Sequence, residues 1–204
     1  MYYDTPSFYF QPIKIIIMNL NELRDKAYQC AVAHGWHEEN LSDEHFLCLI
    51  VGELMKAVET DRKGRLGKKC KSRFEMDYNR YIVLVEEEEE KRFKCSFEKN
   101  VKDTLPDELT DAVILLLDLA GLRNFNLNRF SPVDVVSRKK TFTENIYAIV
   151  KEIMDRKYSL EEQVNYVITQ VFALADILGV DLLWHINQKM RYNELRPKLN
   201  EKKY

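Results

Sequence analysis

Apolar residues recur at helical spacing along most of this chain, marking helices with one buried face. From Asn21, the positions Leu23, Ala27, Cys30, Ala31 and Ala33 predict a short amphipathic helix that Gly35 ends. Trp36, His37 and Asn40 then fall in a connecting loop. Ser42-Asp43-Glu44 has the form of an N-cap followed by an acidic first turn. Phe46, Leu47, Leu49, Ile50, Leu54, Ala57 and Val58 continue it as a second helix, closing near Gly64 after Arg62-Lys63. A third is predicted from Pro106-Asp107-Glu108 through Leu109, Ala112, Val113, Leu116 and Leu119 to Gly121, with Pro at its start and Gly at its end. A fourth begins after Thr141 and runs to about Lys157. Ser159-Leu160-Glu161-Glu162 is a capping-box pattern that opens a fifth, which Gly179 breaks. Asp181 starts the last, through Leu182, Leu183, Ile186 and Met190, and Pro197 stops it.

Two stretches depart from this period. Residues 1–17 have none and read as an appendage to a single domain over 18–204. The segment at about 68–95 opens on Lys68, Lys69, Lys71 and Arg73, continues with Tyr81-Ile82-Val83-Leu84-Val85, the best strand candidate, and then carries the unbroken acidic run Glu86 to Glu90. It reads as an insert, a short hairpin or an extended helix tip, with the acidic run as a solvated face. The expected fold is therefore all-α, a bundle of four to six helices with a small irregular or β-hairpin insert.

Composition narrows the classes. In 204 residues there are 6 Gly and 5 Pro, too few chain-breakers for a turn-rich sandwich or barrel. The hydrophobic share of 46% argues for a globular core rather than disorder. A formal charge of −2 points to neither nucleic acid nor an anionic membrane as partner. Cys30, Cys48, Cys70 and Cys95 have no short metal or redox spacing, which suits a reducing cytoplasm. No apolar run approaches the roughly 20 residues that span a bilayer.

The usual catalytic loops are missing. Gly67-Lys68 would need a glycine where Arg62 stands to form a phosphate-binding loop, and the sequence holds no G-x-G-x-x-G, H-E-x-x-H or G-x-S-x-G. What remains is carboxylates on helices. Glu108 and Asp111 are three apart, on nearly one face, at the edge of the most apolar segment, and Asp118 lies two turns further along it. Such a pair alone is usually a helix-start feature. Glu53, however, lies between Val51 and Leu54 on another helix, and a carboxylate in apolar company must be paired, protonated or bound to a cation. Two such helices packed together offer oxygen ligands for Mg2+. Downstream, Lys189, Asn193 and Arg196 share one broad helical face and have the chemistry of a phosphate grip, although an ordinary basic helix end has the same composition.

In this order, three segments resemble the MazG-like superfamily of all-α nucleoside triphosphate pyrophosphohydrolases. They are Ile50 to Gly64, Asp107 to Gly121 and Lys189 to Pro197. The resemblance implies a metal site built from E-x-x-E on one helix and E-x-x-D on the next. Glu108 and Asp111 match the second motif and Glu53 the first position of the first motif, but Lys56 stands where the second glutamate belongs. Glu59 is about 120° away around the helix and does not replace it. The resemblance further implies Mg2+ as cofactor, a (deoxy)nucleoside triphosphate as substrate, and hydrolysis between the α- and β-phosphates to a monophosphate and pyrophosphate. Glu53 would accept a proton from the attacking water, Lys189, Asn193 and Arg196 would hold phosphates, and Lys56 would face the same ligand. Trp36 and His37 are candidates by type for the base. A homodimer or higher homo-oligomer is expected, from the same resemblance and from the strongly apolar helices.

Two alternatives stay open. One is a nucleotide-binding member with little turnover, because Lys56 puts an ammonium where a carboxylate would hold a cation. The other is a helical dimerisation or adaptor protein without a ligand.

Overall fold

The computed structural model describes residues 19–80, 86–127, 141–155 and 158–201. They form helices α1 (Leu20–Ala33), α2 (Asp43–Arg62), α3 (Cys70–Tyr78), α4 (Glu86–Asn100), α5 (Leu105–Leu122), α6 (Phe142–Met154), α7 (Leu160–Ile177) and α8 (Leu182–Glu194), closed by a 3-10 turn at Lys198–Glu201. No described residue lies in a strand, so the fold is all-α. The appendage and the strand candidate Tyr81–Val85 fall outside the described residues.

The local signals work as physical chemistry requires. The side chains of Asn19, Ser42, Thr141, Ser159 and Asp181 each accept an N–H of the first turn that has no helical partner. Thr141 with Glu144 and Ser159 with Glu162 complete reciprocal capping boxes. α5 is the central element. It packs against α1, α2, α7 and α8, and Leu109, Ala112, Val113, Leu117, Leu119 and Ala120 have no exposed surface. A helix apolar nearly all round belongs in the middle. α2 turns Ile50, Leu54 and Ala57 into the same core.

Two expectations change. Gly121 does not stop the third predicted helix. α5 runs on to Leu122, and a Cβ at Gly121 would collide with Tyr28, so this glycine lets α1 approach α5 closely. Nor is the segment at 68–95 an irregular insert where described. It supplies α3 and the first two-thirds of α4, and the acidic run opens α4. The reason is a second, aromatic core. Phe74 packs edge-on against Phe93 and Trp184, and Phe97 stacks on Tyr192 with ring centroids 4.5 Å apart. Helices α3 and α4 thereby brace α8 from outside the main core.

Among the described residues no single helix is long and apolar enough to cross a membrane.

Candidate functional site

Between α1, α2, α5 and α8 lies a cavity of about 770 Å3. Its lining combines two chemistries. Ala27, Ala31, Leu41, Phe46, Leu49 and Leu115 are apolar. Glu53, Lys56, Asp107, Glu108, Asp111, Lys189, Asn193 and Arg196 are polar or charged. Every residue singled out from the sequence for metal or phosphate thus lines this one space.

The acidic corner is built by two helices. Glu53 projects from the middle of α2, and Glu108 and Asp111 from the first turns of α5. One carboxylate oxygen from each lies within 4.8 Å of the others. Like charges this close oppose one another. Burial, then Asp111, Asp107 and Glu53, push the Glu108 carboxyl up to about 7. The donor set suits a hard divalent cation, which takes carboxylate oxygens and would relieve that repulsion.

Lys56 is on the same face as Glu53, one turn on. Its Nζ donates to both Glu53 oxygens at 2.8 Å, while its side chain stays 56% exposed. Burial works against the Lys56 charge, but the Glu53 hydrogen bond together with the charges of Glu53, Glu108 and Asp111 outweighs it and raises the ammonium's pKa. Glu59 points elsewhere, to Arg62 and Lys63.

Lys189 is placed differently from a free phosphate ligand. Its Nζ donates to Asp107 Oδ1 and Asp111 Oδ2, each at 2.8 Å, and the residue is 5% exposed. Burial opposes its charge, but Asp111 and Asp107 hold its pKa above the ordinary lysine value. Asp107 is the partner that sequence reasoning missed, because an aspartate in a first turn is fully explained as a helix-start residue. Its other oxygen accepts from the Asp103 N–H. Arg196 has no carboxylate partner among the described residues and lies 5.9 Å from the Tyr192 ring. Asn193 Oδ1 is buried without a hydrogen bond. Both line the cavity.

Trp36 lines the cavity, but His37 lies behind the wall. Its Nε2–H donates to Asp118 Oδ1 at 2.7 Å, and both side chains are under a tenth exposed. Asp118 itself lines the cavity. An aspartate in the run Leu115 to Ala120 announces that a partner is needed. That the partner is His37, 81 residues away, is a tertiary fact.

No protein-family model, curated protein or solved structure matches the chain.

Proposed function

We propose that the chain is a Mg2+-dependent nucleoside triphosphate pyrophosphohydrolase. The observation that carries this is the meeting of Glu53, Glu108 and Asp111 in the lining of a cavity that also has apolar walls. A nucleotide joins the same two chemistries, anionic phosphates and a flat apolar base. The resemblance of the three segments to the MazG-like superfamily supports the same assignment.

Glu53, Glu108 and Asp111 would hold Mg2+, which when bound supplies charge neutralisation for the phosphates and acidifies a coordinated water. Glu53 accepts the proton from the attacking water. Arg196 and Asn193 bind phosphate oxygens or their water. Lys189 fixes Asp107 and Asp111 in direction through its two hydrogen bonds. The apolar walls exclude water from around the base.

The test is pyrophosphate release from a panel of NTPs and dNTPs with and without Mg2+. Release that depends on Mg2+ and is lost in Asp111→Asn supports the assignment. A panel with no turnover in any metal concentration removes it.

One observation favours a second reading, nucleotide binding with little turnover. Lys56 engages both oxygens of Glu53, the residue needed to bind metal and accept a proton. Nucleotide-dependent thermal stabilisation without pyrophosphate release would identify it. A homo-oligomer in the cytoplasm also belongs to this proposal. Tyr147, Met154 and Tyr158, each more than 60% exposed, would contribute to its interface.

A further inference from the structure

One buried carboxylate in the cavity lining, Asp118 of α5, has half its capacity unused. Asp118 is 5% exposed, yet it lines the cavity. Its Oδ1 accepts from His37, and its Oδ2 has no hydrogen-bond partner among the described residues. His37 cannot easily swing away, since its ring is packed against Tyr28 and Phe46 at centroid distances of 5.1 and 5.8 Å. Asp118 therefore presents a fixed acceptor to the cavity. Burial raises its pKa and His37 opposes that rise.

Position adds to this. Asp118 follows Asp111 by seven residues, so it lies on the same face of α5, about 10 Å further along the axis. That span is comparable to the distance from a phosphate across a pentose to the outer edge of a base. A ligand with its phosphates beside Glu108 and Asp111 would bring that edge to Asp118.

We propose that Asp118, held by His37, selects the base of the bound nucleotide by accepting a hydrogen bond from an exocyclic amino group. This rests on the nucleotide function proposed above. An amino-bearing base, such as cytosine or adenine, satisfies the open acceptor. A base with a carbonyl at that position, such as uracil or hypoxanthine, turns an oxygen lone pair toward a carboxylate and leaves both unsatisfied. Buried polar groups left without partners are what allow a site to reject a near-isostere.

The experiment is titration calorimetry of the full chain in Mg2+ with α,β-methylene analogues of cytidine, uridine, adenosine and inosine triphosphates, beside inorganic tripolyphosphate. Wild type is expected to bind cytidine over uridine, and adenosine over inosine, by about tenfold or more, the effect of one hydrogen bond to a charged acceptor. Asp118→Asn, whose amide also donates, is expected to bring both ratios within about threefold while leaving tripolyphosphate affinity unchanged. Ratios near one in wild type, with tripolyphosphate and nucleotides bound, overturn the base assignment alone. Ratios that survive in Asp118→Asn do the same and leave Asp118 as an anchor for His37. Failure of every nucleotide and of tripolyphosphate to bind removes the nucleotide function and this inference with it. If Asp118→Asn does not fold, the two wild-type ratios still decide.

Discussion

Replacing Lys189 by Met should unfold the protein more readily than any surface change, although the two side chains are alike in length. Lys189 Nζ sits 2.8 Å from both Asp107 and Asp111, and Lys189 and Asp107 are 5% and 2% exposed. At an effective dielectric constant of about 20, each contact of this length carries about 6 kcal/mol of attraction, most of it offset by the cost of taking the charges out of water. Met removes the attraction but leaves the Asp107 carboxylate buried. Breaking a buried pair on one side costs about 3–5 kcal/mol. For a chain of this size that lowers the melting temperature by about 6–20 °C. The deficit should also depend on pH. Burial already pushes the Asp107 carboxyl up, and without the ammonium it rises further. A carboxyl whose folded pKa exceeds its unfolded value loses stability as pH rises between the two. The loss in Lys189→Met should therefore be larger at pH 8 than at pH 5. Adding Asp107→Asn should recover much of it, and the cycle of four proteins, followed by urea denaturation, isolates the coupling. A single variant within 1 kcal/mol of wild type, or a double variant weaker than the single, would refute the assignment of Lys189 as an internal counter-ion.

Glu108→Gln should stabilise the metal-free protein. With its carboxyl raised from 4.5 to about 7, folded Glu108 binds a proton more readily than unfolded, so wild-type stability in chelator falls as pH rises through that window. The cavity is open, and after allowance for screening the gain at pH 8 is about 1–2 kcal/mol. Melts at pH 5 and 8 that match wild type would count against it. Lys56→Glu frees Glu53 and adds a ligand, so Mg2+ should bind more tightly and pyrophosphate release should rise, with identical Mg2+ titration curves as the adverse result. Gly121→Ala should cost about 1–3 kcal/mol by forcing α1 from α5 against Tyr28; an unchanged urea midpoint would mean the contact yields. Light scattering at micromolar concentration should give at least a dimer mass, and a monomer would contradict the proposed homo-oligomer.

The six helices of the main core are legible because the apolar period marks each, and a cap residue or, at α5, a first-turn proline marks its start. The α3–α4 pair was harder, since charge obscured its period. Cys70, Phe74 and Tyr78 are four apart, as are Phe93, Phe97 and Val101, and that spacing is the signal. The charge of the lysine run and of Glu86 to Glu90 masks it in the sequence. At the site, Glu53, Glu108 and Asp111 could be found because carboxylates in apolar helices need an explanation. The pairings of Lys189 with Asp107 and His37 with Asp118 span 82 and 81 residues, and no local pattern encodes them.

The stack of Phe97 on Tyr192 has a consequence for how the molecule responds to a ligand. Tyr192 belongs to two places at once. One ring face rests on the aromatic core, its hydroxyl donates to Glu98 on α4 at 2.7 Å, and the residue also lines the cavity. A molecule seated against Tyr192 and Arg196 restricts α8, and through that ring it restricts α4. Amide protons of α4 should therefore exchange more slowly when the cavity is filled, although α4 lends the cavity none of its own side chains. The outer helix pair then serves as a remote gauge of occupancy, readable by hydrogen exchange without any label in the site.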